Sequence, residues 1–276
     1  MYEFNLHKKD KEEKMEEKVY ESQRGKVHYW IEGSGAECIV LIHGATMDHD
    51  LFKHQIDFFS SSYKVLALDV PFHGKSRPYE NFTLENAFLD LEEILKMEKV
   101  KKIHIAGQSM GGFISQIYAF KNKVQSVCII DSGPLNIEYA TKFDMWFLSK
   151  VSLMLKIFTY KFLIKTMSKQ ITFNDESKEY AYDTLTRMTK KEIITISDQV
   201  YQGIRKFAPE KIKITVPMII FYGEHDETEG IIKGSKVWAE KEGHILKELK
   251  NASHNANFDN CEQFNKDYME FLQTIK

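Results

Sequence analysis

A chain of 276 residues is longer than one ordinary domain and short of two, which suits a single α/β core carrying an insertion. Its formal charge of −2 is near balance, and Arg24, Arg77, Arg187 and Arg205 are scattered without a basic cluster, so nucleic acid is not an expected partner. No apolar run reaches the roughly 18 residues of a spanning helix. Even the stretch from Phe143 to Met167 is broken by Asp144, Lys150, Lys156, Lys161 and Lys165.

In chain order, residues 1–18 read as a mixed-charge arm outside the core. Lys8 to Lys14 stand where a cleavable apolar core would be, so secretion is not indicated and the cytoplasm is the expected compartment. Val19 to Gln23 and Val27 to Glu32 alternate and are joined at Arg24-Gly25 as in a hairpin. Short apolar runs follow: Cys38 to Ile42, Lys64 to Leu68, Ile103 to Ala106, Val127 to Ile130, Met218 to Phe221 and Ile245 to Leu249. Most are continuous rather than alternating, the pattern of strands covered on both faces. Cys38 and Cys128 lie in such runs, and with Cys261 they make an odd number that implies no disulfide framework.

Helical patterns lie between these runs. Leu84 to Met97 places Ala87, Phe88, Leu91, Ile94 and Leu95 on one stripe, with Thr83 where an N-cap belongs. Gly112 to Phe120 groups Phe113, Ile117 and Phe120, and Glu262 to Ile275 repeats Phe264, Tyr268, Phe271 and Leu272. Alternating strand and helix predicts an α/β fold with a doubly wound, mostly parallel sheet. From Pro134 to Ala208 no buried strand is evident, so 134–208 reads as a helical cap between core segments 19–133 and 209–276. An insertion at the carboxyl edge of such a sheet sits above the ligand crevice.

The run Ile103 to Ala106 leads directly into Gly107-Gln108-Ser109-Met110-Gly111-Gly112. A strand passing straight into a helix makes a turn so sharp that only small residues two positions either side let the backbones pass, and Gly107 and Gly111 meet that need. The turn lifts the Ser109 hydroxyl off the sheet and aims the Met110 amide at any negative charge developing there. A serine nucleophile needs a base and a carboxylate to orient that base. His254 and Asp226 are the candidates, each on a loop after a strand. Asp131 is the alternative acid, while Glu224 and Glu227 are expected to be solvated.

The order Ser109, Asp226, His254 resembles that of the α/β-hydrolase superfamily. Further motifs carry the resemblance: Leu41-Ile42-His43-Gly44-Ala45, Asp69-Val70-Pro71-Phe72-His73-Gly74-Lys75-Ser76, and Asp131-Ser132-Gly133-Pro134. Phe72 departs from the pattern, since the family more often has glycine there. The resemblance runs from about Val19 to the C-terminus. It implies an oxyanion hole built from the amides of Met110 and Ala45, with His43 shaping its loop rather than moving protons.

The resemblance implies a serine hydrolase that cleaves a small-to-medium carboxylic ester through an acyl-enzyme, on a small, apolar acyl substrate. The alternatives are a carbon–carbon bond hydrolase with the same triad and a non-catalytic ligand-binding protein on the same fold. No cofactor is expected. His43, His49 and His54 with Asp48 and Asp50 superficially suggest metal ligands, but their spacing matches no ligand motif and no metal is expected. Cap residues Trp146, Phe147, Met154, Phe158 and Tyr160 are expected to pack on the core, and membrane contact through the interleaved lysines is not expected.

Overall fold

The computed structural model describes residues 15–139, 150, 153–228 and 230–275. The strands are β1 (Glu16–Ser22), β2 (Gly25–Glu32), β3 (Cys38–Ile42), β4 (Lys64–Leu68), β5 (Ile103–Gln108), β6 (Ser126–Ile130), β7 (Met218–Gly223) and β8 (Ile245–Leu249). They form one sheet in the order β1-β2-β4-β3-β5-β6-β7-β8. The pairs β1/β2 and β2/β4 are antiparallel and every later pair is parallel. Strands β3, β5, β6 and β7 are buried along their whole length, as continuous apolar runs require when helices cover both faces.

One boundary differs from the sequence reading. Glu16, Glu17 and Lys18 are not part of an arm but pair with Ile31, Trp30 and Tyr29. An edge strand carries charge to discourage pairing with other chains, so its first residues read as a polar tail.

Helices α1 (Lys53–Phe59), α2 (Leu84–Met97) and α3 (Met110–Lys121) connect the strands from β3 to β6. Helix α2 buries its expected stripe, and Thr83 Oγ1 accepts from the Asn86 amide at 3.0 Å. Helix α3 buries Ile114, Ile117 and Tyr118, whereas Phe120 is 46 % exposed, so the expected stripe is rotated. The rotation follows from Gly111, which must face β3: a Cβ there would lie 2.0 Å from the Ile42 carbonyl oxygen.

Between β6 and β7 the described residues form helices and no strand: α4 (Tyr160–Gln170), α5 (Asp175–Thr186) and α6 (Lys190–Phe207). A capping box opens α6, with Glu192 N donating to Thr189 Oγ1 and Thr189 N to Glu192 Oε2. The Asp48 carboxylate joins this region to the core by accepting from Tyr180 Oη at 2.9 Å and pairing with Arg187 at 2.7 Å. Met154 and Phe158 depart from the packing expectation, being 44 % and 40 % exposed, whereas α4, which follows them, turns Leu163, Ile164 and Ser168 inward. Tyr160 is half-buried and donates to the Met188 carbonyl at 2.6 Å, while Trp146 and Phe147 lie outside the described residues. After β7 come α7 (Ile231–Glu242), the short α8 (Ala256–Asp259) and α9 (Cys261–Gln273), which buries Phe264, Tyr268, Phe271 and Leu272.

Two buried histidines lock the loops that follow β3 and β4. The Val70 amide must donate, so His43 Nε2 accepts it at 2.9 Å, and Nδ1–H is left to donate to the Gly44 carbonyl at 2.7 Å. The His73 ring meets that of His43 edge-on at 5.2 Å. Burial pushes both imidazoles down, His43 to about 4 and His73 to about 3, the latter also because of His43 beside it. Their folded pKa values lie below the unfolded value of about 6.5, so the unfolded chain binds more protons between these limits. The stability held by these neutral rings is complete above about pH 6.5 and is lost as pH falls toward the folded values. Replacing His73 by Phe keeps a ring and removes the proton site. In urea denaturation across mildly acidic pH, His73→Phe should lose stability less steeply than wild type, by about 1.4 kcal/mol per pH unit. Identical slopes would show that His73 is not held neutral.

Candidate active site

Strand β5 ends at Gln108 and α3 begins at Met110, leaving Ser109 alone in the turn with φ 50° and ψ −114°. A non-glycine residue there costs about 1–3 kcal/mol. Crowding shows why glycines flank it, since a Cβ on Gly107 would lie 2.2 Å from the Gly111 carbonyl oxygen. The Ser109 amide donates to the Ile130 carbonyl at 2.8 Å, fixing the turn to β6.

His254 and Asp226 arrive on neighbouring loops. The Glu224 amide donates to the Leu249 carbonyl at 3.0 Å and the His225 amide to the Ala252 carbonyl at 2.8 Å, so the loops after β7 and β8 run together. Gln108 Nε2 donates to the His254 carbonyl at 2.6 Å, tying the histidine loop back to β5. His254 Nδ1 lies 2.9 Å from Asp226 Oδ2, and Nε2 lies 2.9 Å from Ser109 Oγ. With the Nδ1 proton donated to the carboxylate, Nε2 is free to accept the serine hydroxyl proton. Burial by itself would raise the Asp226 pKa, but the charge and hydrogen bond of His254 and the bond from the Thr228 amide hold it below the usual carboxylate value. The Thr228 amide donates to Asp226 Oδ1 at 2.8 Å.

Asp131, the alternative acid, lies next to this line rather than in it. It is fully buried at the end of β6, with φ 45°, and accepts from the Gly223 amide at 2.8 Å and the Ala256 amide at 3.2 Å. Burial and the neighbouring Asp226 charge drive its pKa well above the carboxylate range, against the pull of the two amides. Of this carboxyl pair, Asp131 keeps its proton to higher pH and Asp226 ionises first. Glu224 instead accepts the Asn251 amide at 3.1 Å, and Glu227 is exposed.

Ligand atoms of Asp131, Asp226 and His254 lie within 4.8 Å of one another, a spacing that would suit a metal ion. Their donor atoms are already engaged, Nε2 by Ser109, Nδ1 by Asp226 and the Asp131 oxygens by backbone amides. The histidines with superficial ligand spacing are apart: His49 bonds Asp69 at 2.8 Å, His54 lies 3.7 Å from Glu176, and His43 holds Val70.

Ala45 and Ser109 both line a cavity of about 110 Å³, and Met110 N begins α3 beside it. Among the described residues neither the Ala45 nor the Met110 amide has a hydrogen-bond partner, which leaves both available to an oxyanion. The roof was not assigned residue by residue in the sequence. It consists of Ser197, Val200, Tyr201 and Ile204 of α6, spaced i, i+3, i+4, i+7 on one helical face. That spacing was a readable signal, though the buried Ile193 and Ile196 of the same helix carry a similar one. Ser132 lines the same cavity, and its buried hydroxyl has no partner among the described residues.

The model of the alpha/beta hydrolase fold family matches residues 37–260. The chain belongs to that family. It is 24 % identical to 3-oxoadipate enol-lactonase 1 of Acinetobacter baylyi over 87 % of its own length and 90 % of the relative's. A 36 % identical match to (E)-2-((N-methylformamido)methylene)succinate hydrolase, also of Acinetobacter baylyi, covers 32 % of the chain and only 34 % of that relative. The enol-lactonase from Burkholderia xenovorans LB400 superposes with a TM-score of 0.76 at 20 % identity, over 93 % of this chain and 100 % of that one.

The different protonation of the two carboxyls yields a test of which one orients the base. Asp226→Asn, which presents the wrong partner to the Nδ1 proton, should lower kcat roughly 10⁴-fold on an activated ester. Asp131→Asn should lower it far less, because the amide keeps an oxygen for the Gly223 N–H and a nitrogen that can donate to Asp226, at the cost of the longer bond from Ala256 N. The reverse ranking would reassign the acid.

Proposed function

We propose that this chain is a serine hydrolase of small, uncharged carboxylic esters or lactones, acting through an acyl-enzyme. The observation that carries the proposal is the unbroken line from Ser109 Oγ to His254 Nε2 and from His254 Nδ1 to Asp226, each link 2.9 Å. Ser109 Oγ attacks the acyl carbon while His254 takes its proton. The carbonyl oxygen becomes an oxyanion held by the Ala45 and Met110 amides, each such donor being worth roughly 2.7–4 kcal/mol to the transition state. Collapse of this intermediate breaks the acyl–oxygen bond, and His254 gives its proton to the departing alkoxide. Water then repeats the sequence on the acyl-enzyme, releasing the acid and restoring Ser109.

Two observations narrow the substrate. A cavity of about 110 Å³ is small against the roughly 300–1,000 Å³ of most ligand pockets, so the acyl part is short. No lysine or arginine lines it among the described residues, while Asp131 does, so a carboxylate on the substrate would enter without a counter-charge. The enol-lactonase relatives support the lactone half of the proposal, since a lactone is an ester closed into a ring. The unpartnered Ser132 hydroxyl supplies a donor for a second polar atom on such a ring.

A panel of p-nitrophenyl esters tests this directly. The value of kcat/KM should be greatest for the shortest acyl chains and fall as they lengthen, with Ile204→Ala moving the optimum to longer chains. Succinyl esters should be poorer than butyryl esters of similar size by at least about tenfold. Ser109→Ala should lose turnover by roughly 10⁶-fold. Full turnover by Ser109→Ala would overturn the mechanism, and a preference for the anionic ester would overturn the substrate class.

A further inference from the structure

A surface on the cap is left unused by the catalytic reading. Between Met145 and Asn174 the sequence holds Lys150, Lys156, Lys161, Lys165 and Lys169 and no aspartate or glutamate, in a chain whose net charge is −2. Ion pairs among the described residues are made by other lysines, such as Lys53 and Lys206, and none by Lys156, Lys161, Lys165 or Lys169. Interleaved with them, Leu153, Met154, Ile157, Phe158 and Phe162 are exposed, Ile157 at 81 %, and Phe158 stacks on Phe162 at 5.2 Å. Single exposed apolar residues are ordinary, but a dense group of large ones marks an interaction surface.

The group continues along α4. Phe162, Lys165 and Lys169 share one helical face and, with Phe173 and His225, wall an open groove of about 680 Å³. The groove reaches Ser253 and Glu227, the neighbours of His254 and Asp226. Hydrogen bonds join the end of α4 to that loop, Ser253 Oγ donating to the Gln170 carbonyl at 2.9 Å and Asn255 N to the Ile171 carbonyl at 2.8 Å. Glu227, Asp175 and Glu179 rim this groove and its neighbour, Asp198 shares a pocket with Lys156, and Asp259 is taken up by the Phe173 amide, while the stretch from Lys150 to Phe173 itself carries only cationic charge.

We propose that this face of the cap docks on an anionic lipid surface. Charge complementarity selects that occupant, because a second copy of the chain meeting the same face would set lysines against lysines. The interleaving selects it further. Apolar side chains one turn from lysines can enter the acyl boundary while the lysine stems run up to the phosphate level, an arrangement that interfacial helices use. No helix among the described residues is long and apolar enough to cross a membrane, so the contact is peripheral. It goes beyond the sequence reading, which expects no membrane contact, and it stands apart from the ester reading because its readout needs no turnover.

The test is flotation of the full chain with vesicles of phosphatidylcholine alone and of phosphatidylcholine mixed with phosphatidylglycerol. The chain should float with the anionic vesicles only, and added salt should release it. Each lysine near such a surface contributes about fivefold to affinity, so K161Q/K165Q/K169Q should weaken binding about a hundredfold. I157S/F162S should also fail to float while keeping wild-type circular dichroism and wild-type hydrolysis of a water-soluble ester. Absence of flotation with anionic vesicles would overturn the proposal, as would undiminished binding by the lysine variant. A dimer that I157S/F162S dissolves, with no flotation by wild type, would assign the face to a second copy instead.

Discussion

Everything in the site depends on how closely α3 approaches the sheet as it leaves β5. With Gly111 set against the Ile42 carbonyl and Gly107 against Gly111, no Cβ fits at either position, and the chain must reverse within the single residue Ser109. That crowding holds Ser109 at positive φ, places its hydroxyl where His254 can reach it, and leaves the Met110 amide at the start of a helix. The strain is sustained by bonds around it, including Ser109 N to Ile130 and Gln108 to the His254 backbone. The same crowding decides which face of α3 is buried, so one backbone constraint sets both the helix phase and the geometry of the candidate nucleophile.

Electrostatics divides the work between two carboxyls. Asp226 and Asp131 follow adjacent parallel strands and lie side by side, yet hydrogen bonds from His254 and Thr228 favour the charged form of one while burial favours the neutral form of the other. A charged pair so close together and so well buried would be costly, and a single shared proton removes the conflict. On the far side, a neutral His43 bridges the Gly44 and Val70 loops, so the Ala45 amide is positioned by a group that stays uncharged at neutral pH.

Much of this was legible in the sequence, for physical reasons that differ by element. Continuous apolar runs of about five residues bounded by turn residues fit strands covered on both faces, so the parallel core was readable from β3 to β7, and Thr83 marked the start of α2 through its side chain alone. The β1 start at Glu16 was hidden because an edge strand keeps charged residues. Helices α1 and α7 were missed, the first for its seven residues and the second because it buries only Ser235, Trp238 and Ala239. In the site, Ser109, Asp226 and His254 were legible as an ordered motif, whereas the pairing of Asp131 with Asp226 joins residues 95 positions apart and has no local signature. The roof residues of α6 share a helical period with the core-facing ones, and periodicity alone cannot say which side meets the cavity.

Backbone crowding and His254 together are proposed to make Ser109 a nucleophile. Intact-protein mass spectrometry after treatment with a fluorophosphonate, followed by peptide mapping, measures this directly. One adduct is expected, on Ser109, formed rapidly in wild type and strongly slowed in His254→Ala. No adduct, or one on another residue, would contradict it.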